Sequence, residues 1–167
     1  MRRLIALLTV SAFLSPVAAG QESDLTLLLR GVNEIAAPGV PGPLVALSPE
    51  AFVVFTAPAD AGIHEPVVVA ARADRGRVVA FGHTGYFGAA ALAYGDTGAL
   101  VRNAVEWASG SNTRRDGRIV VCGLDDLAAL LREAGWAVTT CRSLVKIDSL
   151  DDVDVVCVGS HGLRSDD

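Results

Sequence analysis

Aromatic residues are scarce, at 5% of the chain. Ala, Val and Leu must therefore fill most of any core. Lysine is scarcer: Lys146 is the only one among 14 basic residues. With a formal net charge of −5 and no basic stripe interleaved with aromatics, the composition argues against a nucleic-acid partner. The three cysteines, Cys122, Cys141 and Cys157, form neither a CxxC pair nor a Cys/His zinc spacing. Each lies in or at the end of an apolar strand pattern, which reads as a small buried hydrophobe. Export would permit one disulfide and leave one thiol. Complete catalytic signatures are also missing. A zinc peptidase needs His-Glu-x-x-His on a helix. His64-Glu65 begins it, but Pro66 follows and Val68 stands where the second His belongs. A serine hydrolase needs Gly-x-Ser-x-Gly, and Gly159-Ser160-His161-Gly162 misses that spacing. No catalytic residue, metal ligand or cofactor is assigned on these patterns.

What is present fits a packed protein. Of 167 residues, 51% are apolar and 20% charged, enough for one ordinary domain or two small lobes. The N-terminus has the layout of an export signal. Arg2 and Arg3 precede the apolar run Leu4 to Leu14, and Pro16-Val17-Ala18-Ala19-Gly20 supplies small residues for cleavage after Ala19 or Gly20. The run is short of the roughly 20 residues that span a bilayer. Loss of the two arginines takes the formal charge from −5 to −7.

Along the chain, Ser23-Asp24 can cap a helix starting near Leu25, with Leu25, Leu28, Leu29 and Val32 on one face and Pro38-Gly39 ending it. Short strands are predicted over Leu44 to Leu47 and Phe52 to Thr56. A polar loop is predicted over Pro58 to Glu65. Val67 to Arg72 and Arg77 to Phe81 read as a hairpin, with Gly76 as the left-handed loop residue. Asp96 or Thr97 caps a helix running to about Ala108, with Trp107 at the edge of its apolar face. Residues 111 to 117 form a linker without an apolar side chain. Then follow a strand (Arg118 to Cys122), a helix stopped by Gly135, a strand (Ala137 to Cys141), a loop and a strand (Val153 to Val158). Unalternated apolar strands in this order are the pattern of a parallel sheet covered on both faces.

The most distinctive run is Arg75 to Phe87, a turn, a strand and the glycine-spaced exit Gly82-His83-Thr84-Gly85-Tyr86. His83 and Tyr86 are candidate ligand-binding residues there. His83 also has a purely structural reading, as a tie between the loop and the lobe beneath. Ser160 and His161 are candidates at the carboxyl end of a parallel strand, where open α/β sheets bind ligands. Cys122, before Gly123 at a strand-to-helix turn, has the best placement for a nucleophile, yet no histidine lies near it in sequence.

Read together, these segments resemble the N-terminal region of the TRP-channel-associated factor (TCAF) family and its bacterial enhancin-like relatives. The matching pieces are Arg30-Gly31-Val32, Pro41-Gly42-Pro43-Leu44, Glu50-Ala51-Phe52, Ala70-Ala71-Arg72, Gly76-Arg77-Val78-Val79, His83-Thr84-Gly85-Tyr86, Asn103-Ala104-Val105-Glu106-Trp107, and the strand–helix–strand from Arg118 to Cys141. The resemblance covers about Leu25 to Gly159. It implies a small α+β lobe with a β-hairpin, followed by the start of a flavodoxin-like parallel sheet of the class I glutamine-amidotransferase type. The expected division is a signal peptide at 1–20, the lobe at 21–110, a linker at 111–117 and an incomplete amidotransferase-like α/β domain at 118–167. The family's amidotransferase-like domain lacks the ancestral catalytic set and is commonly joined to a mucin-directed metallopeptidase domain. The position after His83 is usually acidic there, and Thr84 occupies it here. The implied function is an exported (periplasmic or extracellular), non-catalytic scaffold or binding module of a larger protein. Its partners would be a downstream domain of that protein or a protein or glycan. The alternative is the N-terminal part of an active amidotransferase-like hydrolase whose nucleophile elbow lies beyond residue 167.

Overall fold

The computed structural model of the chain describes residues 16–39, 42–59, 62–110, 117–147 and 149–160. Two three-stranded sheets share one central helix. The first sheet is antiparallel, in the order β1 (Ala51–Pro58), β2 (His64–Ala73), β3 (Gly76–Phe81). β1 and β2 are longer than their apolar runs, so the loop expected from Pro58 to Glu65 shrinks between Pro58 and His64, which pair. The hairpin turns through two residues, Asp74 and Arg75, because Ala73 pairs with Gly76. The left-handed residue is therefore Asp74, at φ 51°, and not Gly76. A short Asp tolerates that region better than most side chains.

The expected strand from Leu44 to Leu47 does not form. The segment makes single bonds, Gly42 N–H to Gly82 O (3.1 Å) and Leu44 N–H to Pro66 O (2.9 Å). Val45 and Leu47 then face solvent, Leu47 at 91% exposure. Without a paired ladder their apolar alternation has no core to enter.

The first helix, α1 (Pro16–Leu28), also departs from its expected bounds. It starts before Ser23-Asp24 and ends ten residues before Pro38. Asp24 is no cap: it is 2% exposed, and both its oxygens accept from Arg72 at 2.6 Å. Residues after Leu28 leave the helix because other partners take their backbone groups. Asn103 Nδ2 donates to Leu28 O and Arg30 O, Asp96 accepts from Asn33 and Glu34 N–H, and Thr97 Oγ1 accepts from Ala36 N–H. The candidate cleavage positions Ala19 and Gly20 lie within α1, and residues 1–15 lie outside the described residues. Among the described residues, no helix is long and apolar enough to cross a membrane.

After the short α2 (Ala89–Leu92), α3 (Thr97–Ala108) joins the two halves. Leu100, Ala104 and Trp107 enter a core with Leu28, Val54, Val68, Ala70 and Tyr86. Val101 and Val105, one position round the helix, enter a second core with Ile119, Val121, Leu127 and Leu131. Helical periodicity lets one element present two adjacent stripes to two sheets. Trp107 is not at an edge: it is 2% exposed, with Phe52 edge-on at 6.2 Å and the Arg77 guanidinium 5.3 Å over its ring. At such burial a large apolar side chain contributes roughly 1.5–3 kcal/mol.

The second sheet is parallel, in the order β5-β4-β6, from β4 (Arg118–Cys122), β5 (Ala137–Cys141) and β6 (Val155–Val158). Between β4 and β5 runs α4 (Asp125–Glu133), whose Leu127, Ala128 and Leu131 cover one sheet face. Gly135, at φ 90°, stops it as expected. β6 starts two residues later than its apolar run, because Asp154 is occupied at the sheet's lip. Its N–H donates to Arg118 O (2.9 Å) and its carboxylate accepts from Arg118 N–H (2.8 Å). Cys122 and Cys141, in register on neighbouring strands, are joined in a disulfide. This corrects the reading of all three cysteines as unpaired hydrophobes: two are bonded, and Cys157 stays free and half-buried.

Candidate functional site

A cleft of about 720 Å³ opens between β3 and β6. Every residue from 77 to 84 borders it on one side and every residue from 154 to 160 on the other. Side chains alternate across a strand, so a strand seen face-on would contribute every second residue. Unbroken runs mean that both strands turn their edges to the cleft. The topology agrees, because β3 and β6 are each an outer strand of their sheet. Between them lie Val101, Ala104, Val105 and Ala108 of α3, Leu124 just before α4 and Leu127 within it. The α3 residues recur at the spacing of a single helix stripe.

Polar side chains stand at the ends of this apolar trough. Arg77 is the second residue of β3, and Asp154 precedes β6. His83 and Thr84 follow β3, and Ser160 follows β6. Local structure fixes His83. It stands before a one-turn 3-10 helix (Thr84–Phe87), and its Nδ1 accepts the Gly85 N–H at 2.9 Å. This satisfies a donor that the turn would otherwise orphan. Gly82 and Gly159 are required by close approach. A Cβ on Gly82 would run into the Gly42 carbonyl, and one on Gly159 into the Leu124 side chain. Gly159 N–H donates to Cys122 O (3.0 Å), which pins the exit from β6.

The structure thus brings His83 and Ser160, 77 positions apart in the chain, to one cleft. Tyr86 is elsewhere. It is 1% exposed in the first core, its ring 5.8 Å from that of Phe81, and burial pushes its phenol above its usual range. His161 lies outside the described residues. His64 and Glu65 sit at the start of β2, off any helix, so they do not form the zinc-peptidase pair. Among the described residues, no group of three or more His, Cys, Asp or Glu could hold a metal ion. Sequence reasoning missed Arg77, Asp154 and the floor of the cleft. The floor's signal was legible as the α3 stripe, but two sheets compete for that helix, and sequence alone does not say which residue serves which.

The thiols offer little nucleophilicity. The Cys122 sulfur is bonded to Cys141, which removes it as the candidate at the strand-to-helix turn. Cys157 borders the cleft, but burial pushes its thiol up to about 12, far from the thiolate form at neutral pH.

Several solved structures share this fold. The IMPa metallopeptidase in complex with T-antigen superposes with a TM-score of 0.62 at 18% identity, over 89% of this chain and 18% of that one. IMPa from Pseudomonas aeruginosa in complex with an O-glycopeptide gives 0.58 at 17% identity, with the same coverage. The chain therefore spans less than a fifth of the length of the structures it matches. No curated protein matches it. The family model TCAF_N, "TRPM8, N-terminal domain", matches residues 7–161. That match takes in both sheets, the helix between them and both walls of the cleft: the chain belongs to the TCAF_N family.

Proposed function

We propose that this chain is an exported, non-catalytic scaffold or binding module that serves a glycoprotein-directed metallopeptidase. Residues 21–110 form its α+β lobe, 111–117 its linker, and 118–167 part of an amidotransferase-like α/β domain. The cleft between the lobes is its contact with a partner polypeptide, and His83 and Ser160 lie at its rim.

The observation that carries this reading is the state of the thiol at the strand-to-helix turn. A cysteine nucleophile at that turn would need a free thiol, with a histidine and an acid in reach. Cys122 is instead tied into the sheet by Cys141. A role beside a peptidase is supported by the fold shared with the IMPa structures, whose bound molecules are T-antigen and an O-glycopeptide. The test is turnover. The purified chain is incubated with glutamine and, separately, with an O-glycopeptide, followed by ammonia release and mass spectrometry. Both compounds should be recovered intact. Ammonia or peptide fragments formed by the chain, and lost on Cys122→Ser or Ser160→Ala, would sink the reading.

A further inference from the structure

We propose that the cleft is a strand-acceptor groove, in which an extended apolar segment of the peptidase-bearing polypeptide adds to the free edge of β6. This rests on the accessory reading above and names the partner element that reading leaves open.

The first observation is what β6 offers. Among the described residues only one of its sides is paired, to β4, and residues 154–160 border the cleft without interruption. The cleft is therefore walled by the strand's edge, whose backbone N–H and C=O groups await partners. A second strand is the ligand that satisfies such groups in series.

The second observation is that the edge is undefended. Exposed edges are normally blunted by Lys, Pro, an inward charge or a bulge. β6 reads Val-Val-Cys-Val, all four half-buried, and holds its register with β4 throughout. The far outer strand of the first sheet, β1, shows the contrast: it carries two register shifts and ends in Pro58.

The third observation is the floor. Val101, Ala104, Val105, Leu124 and Leu127 present only aliphatic side chains to the cleft. Alternate residues of an added strand would lay one apolar row upon them. A segment matching β6 runs about 13 Å, since a strand rises about 3.3 Å per residue. A glycan instead needs convergent polar groups, and the polar side chains here stand at the strand ends. The source of the strand follows from scale. In the solved structures that share the fold, the matched region is 18% of the chain, so the fold sits there within a much longer polypeptide.

The test uses the full chain and a phage-displayed library of random dodecapeptides. Selected peptides are resynthesised, and amide hydrogen exchange of the chain is followed with and without them. Winners should be runs of β-branched or aromatic residues free of proline. They should slow exchange at residues 155–159 by about tenfold or more. N-methylation of alternate peptide amides should abolish binding, because it removes the ladder donors and leaves most of the side-chain surface. The proposal is overturned if no peptide is selected, if winners are helix-forming or charged, or if protection appears away from β6. It is also overturned if β6 in the chain alone becomes protected as its concentration rises, since a second copy would then fill the groove. Turnover by the chain would defeat the accessory reading with the groove intact. An unprotected β6 edge would defeat the groove and leave that reading standing.

Discussion

Asp24 shows how much can hang on a single carboxylate. Burial alone raises its pKa. Hydrogen bonds from Arg72, the nearby Trp107 indole N–H and the charges of Arg72 and Arg77 outweigh that, and the net shift is downward from 3.8. Trp107 Nε1 has no partner of strict hydrogen-bond geometry, yet it lies close enough to Asp24 to favour the carboxylate. Arg72 is about half exposed, so solvent screens the pair, and its worth falls between the surface and buried limits. Asp24→Ala should cost about 2 kcal/mol in urea unfolding, much of it from the Arg72 and Trp107 donors left behind. The pH dependence follows from the sign of the shift. A carboxylate whose pKa is depressed on folding contributes stability above its unfolded value and loses it as pH falls through the folded value. Wild type should lose more stability than Asp24→Ala below about pH 3.8; parallel acid titrations of the two proteins would contradict the assignment. Sequence could not show this. Ser23-Asp24 before an apolar run has the form of a helix cap, and the partner that overrides it lies 48 positions away. Tyr86 was similarly ambiguous, because burial and ligand contact leave the same local signature beside a glycine.

At the scale of elements, regular strands and helices were legible wherever the hydrophobic pattern was unopposed. β3, β4, β5 and α3 lie close to their apolar runs, because each has a core on its apolar side. Elements whose backbone groups are claimed from far away were not legible. α1 stops where Asn103 and Asp96 take over its continuation, and β6 starts late where Asp154 turns to Arg118. The disulfide belongs here too. Nineteen positions separate Cys122 from Cys141, and their match is a matter of parallel register, which follows only once β4 and β5 are adjacent. The loop it closes restricts the unfolded chain. Reduction, or Cys122→Ser, should therefore lower stability by about 3 kcal/mol. Thermal melts with and without reductant measure this, and coincident melts would show that the bond does not constrain the unfolded chain.

For the whole molecule, α3 decides how the halves sit. It feeds Leu100, Ala104 and Trp107 to one core and Val101 and Val105 to the other, so the cleft above it has a shared floor. Asp126 of α4 adds a second tie by accepting the Ala89 N–H at 2.8 Å. The assembly of His83 and Ser160 at one cleft therefore depends on packing between lobes, which no local motif encodes. The candidate residues could be named from glycine-flanked strand exits, but their convergence could not. The central claim is that a partner occupies this cleft. The most direct measurement bridges it. Val78→Cys and Val156→Cys, one on each wall, are introduced into a Cys157→Ser background and joined by a flexible bis-maleimide. The bridged chain should melt no lower than the unbridged one and lose binding of the β-forming peptide selected on wild type, while the unbridged double variant retains it. Equal binding by bridged and unbridged chains would contradict the claim.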